Sequence, residues 1–217
     1  MSEHHHHHHH APAIPVTMNM SFAIAVSANL LFTLAEAILA LEANSASLLG
    51  DAGHNFSDVL GLLLAWGATY LVSRASGRDY SYGYRRTTIL AALLNAMLLL
   101  LAAGYIAVQS LEKFYNPVAP SETLIILVAL VGIAVNGGTA LLFMKSSKGD
   151  LNLKGAFLHL AYDALISAGV VVGGVVILFT GWLWVDPLMG LLITAVIVYG
   201  TWALLRDSIN LILDAVP

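Results

Sequence analysis

The sequence contains no cysteine. Disulfides and thiolate metal sites are therefore excluded, and any strong metal ligand has to be histidine or a carboxylate. Charge is also scarce. Asp, Glu, Lys and Arg make up 10% of the 217 residues, where a water-soluble domain carries about 25%. With 59% of the chain hydrophobic, too little polar surface remains to cover a globule of this size, and the bilayer is the natural solvent. The nine Lys and Arg, against thirteen Asp and Glu, give a net charge of −4. They are scattered through the predicted loops and make no nucleic-acid footprint. No cleavable signal peptide is expected, since the N-terminus lacks a basic n-region and the first apolar segment is too long for a signal h-region.

What the sequence has instead is long apolar runs. A helix needs about 20 mostly apolar residues to cross the hydrocarbon core. Six stretches qualify: Met18–Leu41, Leu48–Ser73, Thr88–Ser110, Thr123–Met144, Gly155–Thr180 and Asp186–Leu205. The breaks carry turn and helix-start signals, among them Asn116-Pro117 with Pro120, Lys145 to Asp150, and Asp186-Pro187 opening the last stretch. The expected fold is an all-α membrane protein of six transmembrane helices over residues 18–217, with no separate soluble domain. Residues 1–17 read as a disordered tail. Its run His4–His10 is read either as a purification tag or as a native metal-gathering segment.

Orientation follows from positive charge. Arg74, Arg78, Arg85 and Arg86 follow the second stretch, Lys145, Lys148 and Lys154 follow the fourth, and Arg206 ends the sixth. An even number of crossings separates these places, so all eight fall on one side, with only Lys113 opposite. By the positive-inside rule both termini are cytoplasmic.

Ionisable side chains in hydrocarbon are costly and face partners or water, so each marks a functional candidate. The second stretch carries His54-Asn-Phe-Ser-Asp58 and the fifth His159-Leu-Ala-Tyr-Asp163. Both are His-x-x-x-Asp, and residues four apart stack on one helical face. Each helix thus offers one imidazole and one carboxylate in one direction. Two opposed faces supply the four N/O ligands that tetrahedral Zn²⁺ accepts. From the helix ends, His54 and Asp58 lie roughly 9 to 15 Å below the outer surface, and His159 and Asp163 roughly 6 to 18 Å from the inner one. In a core about 30 Å thick the pairs can meet. The alternative is two unrelated pairs, each satisfied within its own helix.

Further polar residues recur along the same path. Asp51, one turn outside His54, either attracts cations at an outer mouth or caps its helix. Asn29, Thr33 and Glu36 form a polar stripe on the first helix, in which Glu36 either relays protons or contributes interhelical hydrogen bonding. Asn136, among Gly132, Gly137 and Gly138, marks a close-packing face that is also a candidate for the cation path. Gly169 and Gly173 form a small-xxx-small packing face.

At this point the chain resembles the cation diffusion facilitator family, in its zinc-transporting branch, from about Asn29 to Pro217. The residues that carry the resemblance are Asn29 to Glu36, Ser47 to Asp58, Tyr82-Gly-Tyr-Arg-Arg86, His159 to Asp163 and Asp186-Pro187. The ligands it implies are His54, Asp58, His159 and Asp163, the four that helical spacing selects. It further implies a homodimer that exchanges cytoplasmic divalent metal for external protons. There are two departures. Most members continue into a ferredoxin-like cytoplasmic domain where this chain stops, and relatives commonly carry a glutamate near Thr88.

The expected function is therefore Zn²⁺ efflux in a bacterial cytoplasmic membrane, by alternating access with protons as the counter-ion. The metal is substrate rather than cofactor, and Cd²⁺ or Co²⁺ accept similar ligands. Two other readings compete. A passive channel needs weak, fast-releasing sites, unlike a His₂Asp₂ cage. An intramembrane metalloenzyme needs an open coordination position and a general base, as in His-Glu-x-x-His, a motif the sequence lacks. For the dimer contact, the Leu- and Ala-rich third helix from Ile89 to Ala103 is expected, with Arg86 close to Asp214.

Overall fold

A computed structural model describes residues 20–74, 81–144 and 151–212. They form α1 (Met20–Glu42), α2 (Ala46–Arg74), α3 (Ser81–Tyr115), α4 (Glu122–Met144), α5 (Leu151–Thr180) and α6 (Val185–Ile212). No strand occurs among the described residues. The helices α3 to α6 each contain a stretch long and apolar enough to cross a membrane.

The helix ends follow local chemistry. Asn44 turns out of α1 in the left-handed conformation (φ 48°), as does Gly181 after α5 (φ 68°), the geometry that closes many helix C-termini. Ser45 caps α2, its Oγ accepting from Leu48 N at 3.1 Å. Two helices outrun their apolar stretches. α3 begins at Ser81 and reaches Tyr115, because apolarity delimits a membrane span and not a helix, and nothing breaks the backbone until the Asn116-Pro117 pair. α6 likewise continues past Leu205 to Ile212.

α2 touches every other helix, while α4 packs along α5 and α3 along α6. Leu48, Ile125 and Val170 are wholly buried between them. Glycines set two of the closest approaches: a Cβ on Gly174 would meet Ile126 Cγ1 at 2.9 Å and Ile125 Cγ2 at 3.0 Å, and one on Gly190 would meet Ala46 O at 2.9 Å. Gly132 fits the expected close-packing face, against Phe32 and Ser167, but Gly137 and Gly138 have open space where a Cβ would go. Gly169 and Gly173 face Met189 on α6.

Polarity runs inside out. Leu31, Leu101, Leu165, Leu192 and Trp202 are exposed, while Asn29, Thr33, Glu36, Asn55, Asn136 and Ser167 are buried. In lipid the polar groups must find partners within the protein.

One end of the bundle is tied by a buried carboxylate. Asp186, at the start of α6, accepts from Ser45 Oγ at 2.6 Å, Ala46 N at 2.7 Å, Ser47 N at 3.0 Å and Ser47 Oγ at 2.7 Å. It therefore caps the first turn of α2 from another helix. Lys113 near the end of α3 lies 3.7 Å away and donates to Asn44 O at 2.6 Å. Ser121 N, just before α4, donates to Ala43 O at 2.9 Å. The ends of five helices, all but α5, thus meet in one hydrogen-bonded knot.

Candidate metal centre

The two His-x-x-x-Asp faces meet. Within each helix the spacing is what one turn gives: His54 Nε2 to Asp58 Oδ2 is 3.7 Å and His159 Nε2 to Asp163 Oδ2 is 3.8 Å. Between helices the approach is closer. His54 Nε2 lies 3.4 Å from Asp163 Oδ1, and His159 Nε2 lies 3.4 Å from Asp58 Oδ2. This crossed pairing follows from the helices running antiparallel, so that the first residue of each motif faces the last of the other. Asp163 turns one oxygen toward each imidazole.

These spacings have a chemical meaning. With metal–donor bonds of about 2.0–2.1 Å, the edges of a tetrahedron of ligands are about 3.3–3.4 Å. Four edges of the ring measure 3.4 to 3.8 Å, so small side-chain movements would bring these atoms onto a Zn²⁺ ion. Donor atoms of His54, Asp58 and Asp163 all lie within 4.8 Å of one another. Asp58 Oδ2 and Asp163 Oδ1 are buried without a hydrogen-bond partner. Two partnerless carboxylate oxygens facing two imidazoles leave strong acceptors unsatisfied, as a cation-binding cage does before its ion arrives.

The ring is graded in exposure. Side-chain exposure is 4% at Asp163 and 16% at His54, then 19% at Asp58 and 43% at His159. The less buried members are those nearer the C-terminal end of α2 and the N-terminal end of α5. Access therefore widens away from the knot formed by Asp186.

The other candidate residues gather beside the ring, one turn toward the knot. Asp51 is fully buried, and its Oδ2 accepts from Ser167 Oγ at 2.8 Å. It lies one turn beyond His54 but at no open mouth, and the start of α2 is capped by Ser45 and Asp186. Glu36 is also fully buried; its Oε2 accepts from Asn55 Nδ2 at 3.0 Å. Asn136 Nδ2 donates to Asn55 Oδ1 at a longer 3.4 Å. Sequence reasoning passed over Ser167 and Asn55. Ser167 lies four residues past Asp163, on the stripe that begins at His159, and that periodicity was the available signal. The expected Arg86–Asp214 pairing lies outside the described residues.

Comparison with known proteins gives a family. Residues 22–213 match the cation efflux transmembrane domain. Over 197 residues the chain is 34% identical to the metal cation efflux system protein CzcD of Cupriavidus metallidurans, covering 91% of this chain and 62% of that protein. It is 33% identical over 188 residues to a cadmium, cobalt and zinc/H(+)-K(+) antiporter of Bacillus subtilis, covering 86% and 60%. It is 32% identical over 187 residues to the zinc transporter ZitB of Escherichia coli, also covering 86% and 60%. The chain thus matches about three-fifths of the length of these relatives.

Proposed function

Since the chain belongs to the cation efflux (cation diffusion facilitator) family, we propose that it exports a divalent metal ion, Zn²⁺ foremost, through the cage of His54, Asp58, His159 and Asp163. A transporter rather than an enzyme is what its family and relatives describe, and it is a multi-pass bacterial membrane protein. The observation that carries the proposal is the ring of four donors from two antiparallel helices, with edges near those of a zinc tetrahedron and two carboxylate oxygens left without partners. The relatives' names mention zinc, cadmium and cobalt, three ions that suit mixed imidazole and carboxylate ligands.

All six helices cross the membrane in this reading, α1 and α2 among them, with both termini cytoplasmic. The grading of exposure along the ring then corresponds to a cage open to the cytoplasm and sealed on the outside. Metal enters from the cytoplasm onto neutral imidazoles and ionised carboxylates, and protons compete for the same lone pairs. Reorientation opens the cage outward, where protons displace the metal and return in its place. A second copy associates through α3, whose Leu90, Leu94, Met97, Leu98 and Leu101 face outward.

The test is zinc uptake into proteoliposomes with and without an imposed pH gradient. Saturable uptake that follows the gradient is expected. Non-saturating flux indifferent to the gradient would favour a channel instead. Uptake that saturates but ignores the gradient would leave carriage without proton exchange.

A further inference from the structure

Asn55 follows the cage residue His54 on α2 and belongs to no ligand pair. It is buried, and both ends of its amide are spent on other helices. Its Nδ2 donates to Glu36 Oε2 on α1 at 3.0 Å, and its Oδ1 accepts from Asn136 Nδ2 on α4 at 3.4 Å. Glu36 and Asn136 are fully buried. Their other oxygens, Glu36 Oε1 and Asn136 Oδ1, have no hydrogen-bond partner, so no second bond through those atoms competes with Asn55. One short side chain that carries both a donor and an acceptor thus joins three helices.

Consecutive residues of an α-helix point about 100° apart. α2 therefore turns His54 toward Asp163 on α5 while Asn55 reaches α1 and α4. Asp58, one turn on, faces His159 from the same side of α2 as His54. Any roll of α2 about its axis moves both cage residues together. A side-chain tip stands about 5–6 Å from the helix axis, so a roll of about 10° carries it about 1 Å. A ligand set works only within about 0.5 Å of its productive geometry. The cage does not resist such a roll by itself, because Asp58 Oδ2 and Asp163 Oδ1 make no hydrogen bond. Ser167 Oγ ties α5 to Asp51 Oδ2 at 2.8 Å, but a single bond is a pivot and leaves the roll free. The two bonds of Asn55, made to two different helices, oppose it.

We propose that Asn55 is a positioning residue for the metal cage: its amide fixes the roll of α2 and so holds His54 and Asp58 at the spacing of a small tetrahedral ion. The inference rests on the reading of His54, Asp58, His159 and Asp163 as that cage. Discrimination by size follows from it. Zn²⁺ needs donors about 3.3–3.4 Å apart, whereas the larger Cd²⁺ accepts a wider ring. With α2 free to roll, the ring loosens, and Zn²⁺ loses more affinity than Cd²⁺ does. The charge of Glu36 has no part in this, since an amide oxygen in its place accepts from Asn55 equally well.

The test is titration calorimetry with Zn²⁺ and Cd²⁺, together with the visible absorption of bound Co²⁺, on purified protein lacking His4–His10. Tetrahedral Co²⁺ absorbs strongly and higher-coordinate Co²⁺ weakly, so the band reads the geometry of the cage directly. Asn55→Leu should lower Zn²⁺ affinity about 10–100-fold, the usual cost of removing a group that orients metal ligands. It should lower Cd²⁺ affinity less and weaken the Co²⁺ band. Glu36→Leu should act in the same direction, while Glu36→Gln, which keeps an acceptor for Asn55, should bind as the wild type does. If Asn55→Leu does not fold, the two Glu36 variants decide the matter. Equal losses for Zn²⁺ and Cd²⁺ with an unchanged Co²⁺ spectrum would overturn the proposal, because general destabilisation gives that result. So would wild-type binding in the Leu variants, or a loss in Glu36→Gln as large as in Glu36→Leu. A wild type that binds none of the three ions would overturn the cage reading and this inference with it, whereas the variants of a wild type that binds them bear on Asn55 alone.

Discussion

Asp186→Ala should be among the most destabilising substitutions in the molecule. The carboxylate accepts four hydrogen bonds at 2.6 to 3.0 Å and faces Lys113 at 3.7 Å. A hydrogen bond to a charged group contributes about 1.5–3 kcal/mol, but bonds sharing one acceptor group are not additive. The better guide is the cost of breaking a buried charge pair by deleting one member, about 3–5 kcal/mol. That range is expected for Asp186→Ala, against about 1 kcal/mol for Ser47→Ala, which removes a single side-chain hydroxyl. The assay is unfolding in mixed micelles, followed by the fluorescence of Trp182 and Trp184, whose rings stack 5.6 Å apart at the same end of the bundle. Part of the loss is the unpaired ammonium, so Lys113→Met in the Asp186→Ala background should recover some stability. A cost below about 1 kcal/mol for Asp186→Ala would refute the reasoning, because it would mean that solvent replaces the knot. Failure of Lys113→Met to recover anything would refute the charge-pair part alone.

Other outcomes follow from the geometry. Alanine at His54, Asp58, His159 or Asp163 should greatly weaken zinc binding while the protein still folds, measured by titration calorimetry on protein lacking His4–His10; wild-type affinity in both members of either motif would dismiss the cage. Zinc affinity, followed by calorimetry at several pH values, should fall as pH drops, by up to about tenfold per pH unit for each proton displaced, because the protonated imidazole has no lone pair to offer. His54→Asp should keep a metal site but accept Mn²⁺ better relative to Zn²⁺, since oxygen ligands suit harder cations; transport assayed with both ions reads this out. Gly174→Ala, with contacts at 2.9 and 3.0 Å, should cost about 1–3 kcal/mol, whereas Gly137→Ala, with open space, should be neutral or stabilising by up to about 1 kcal/mol. Cysteines placed along the outward face of α3 should crosslink between copies in lipid; a chain that transports as a monomer would dismiss the dimer.

The meeting of the two His-x-x-x-Asp faces was legible in the sequence because helical spacing does most of the work. His-x-x-x-Asp places both donors on one face whatever the tertiary structure, and two copies in an otherwise weakly charged interior have few other destinations. The apolar runs located the helices for the same reason, as a local property. What escaped was set by contacts between distant residues. Asp186 beside Pro187 reads as the start of a helix, and nothing local announces that it caps α2 across 140 positions. Nor does anything local announce that Asp51 accepts a hydrogen bond from Ser167, 116 residues away. The termini of α3 and α6 escaped differently: apolarity measures how much helix lipid can cover, and both helices run on into polar sequence.

The knot at Asp186 makes α2 a lever. Its fulcrum is the first turn at Ala46, where backbone donors are held by another helix. At 1.5 Å per residue, Asp51 stands about 7.5 Å along the arm and Asp58 about 18 Å, so any tilt carries Asp58 about 2.4 times as far as Asp51. A swing that barely disturbs the Asp51–Ser167 contact therefore pulls Asp58 away from His159 first. His54, nearer the fulcrum, stays with Asp163 longer. In the proposed transport path the cage would open and shut for loading at its accessible end, like a hinged jaw and not like a widening ring, so an ion entering there would meet Asp58 and His159 before His54 and Asp163.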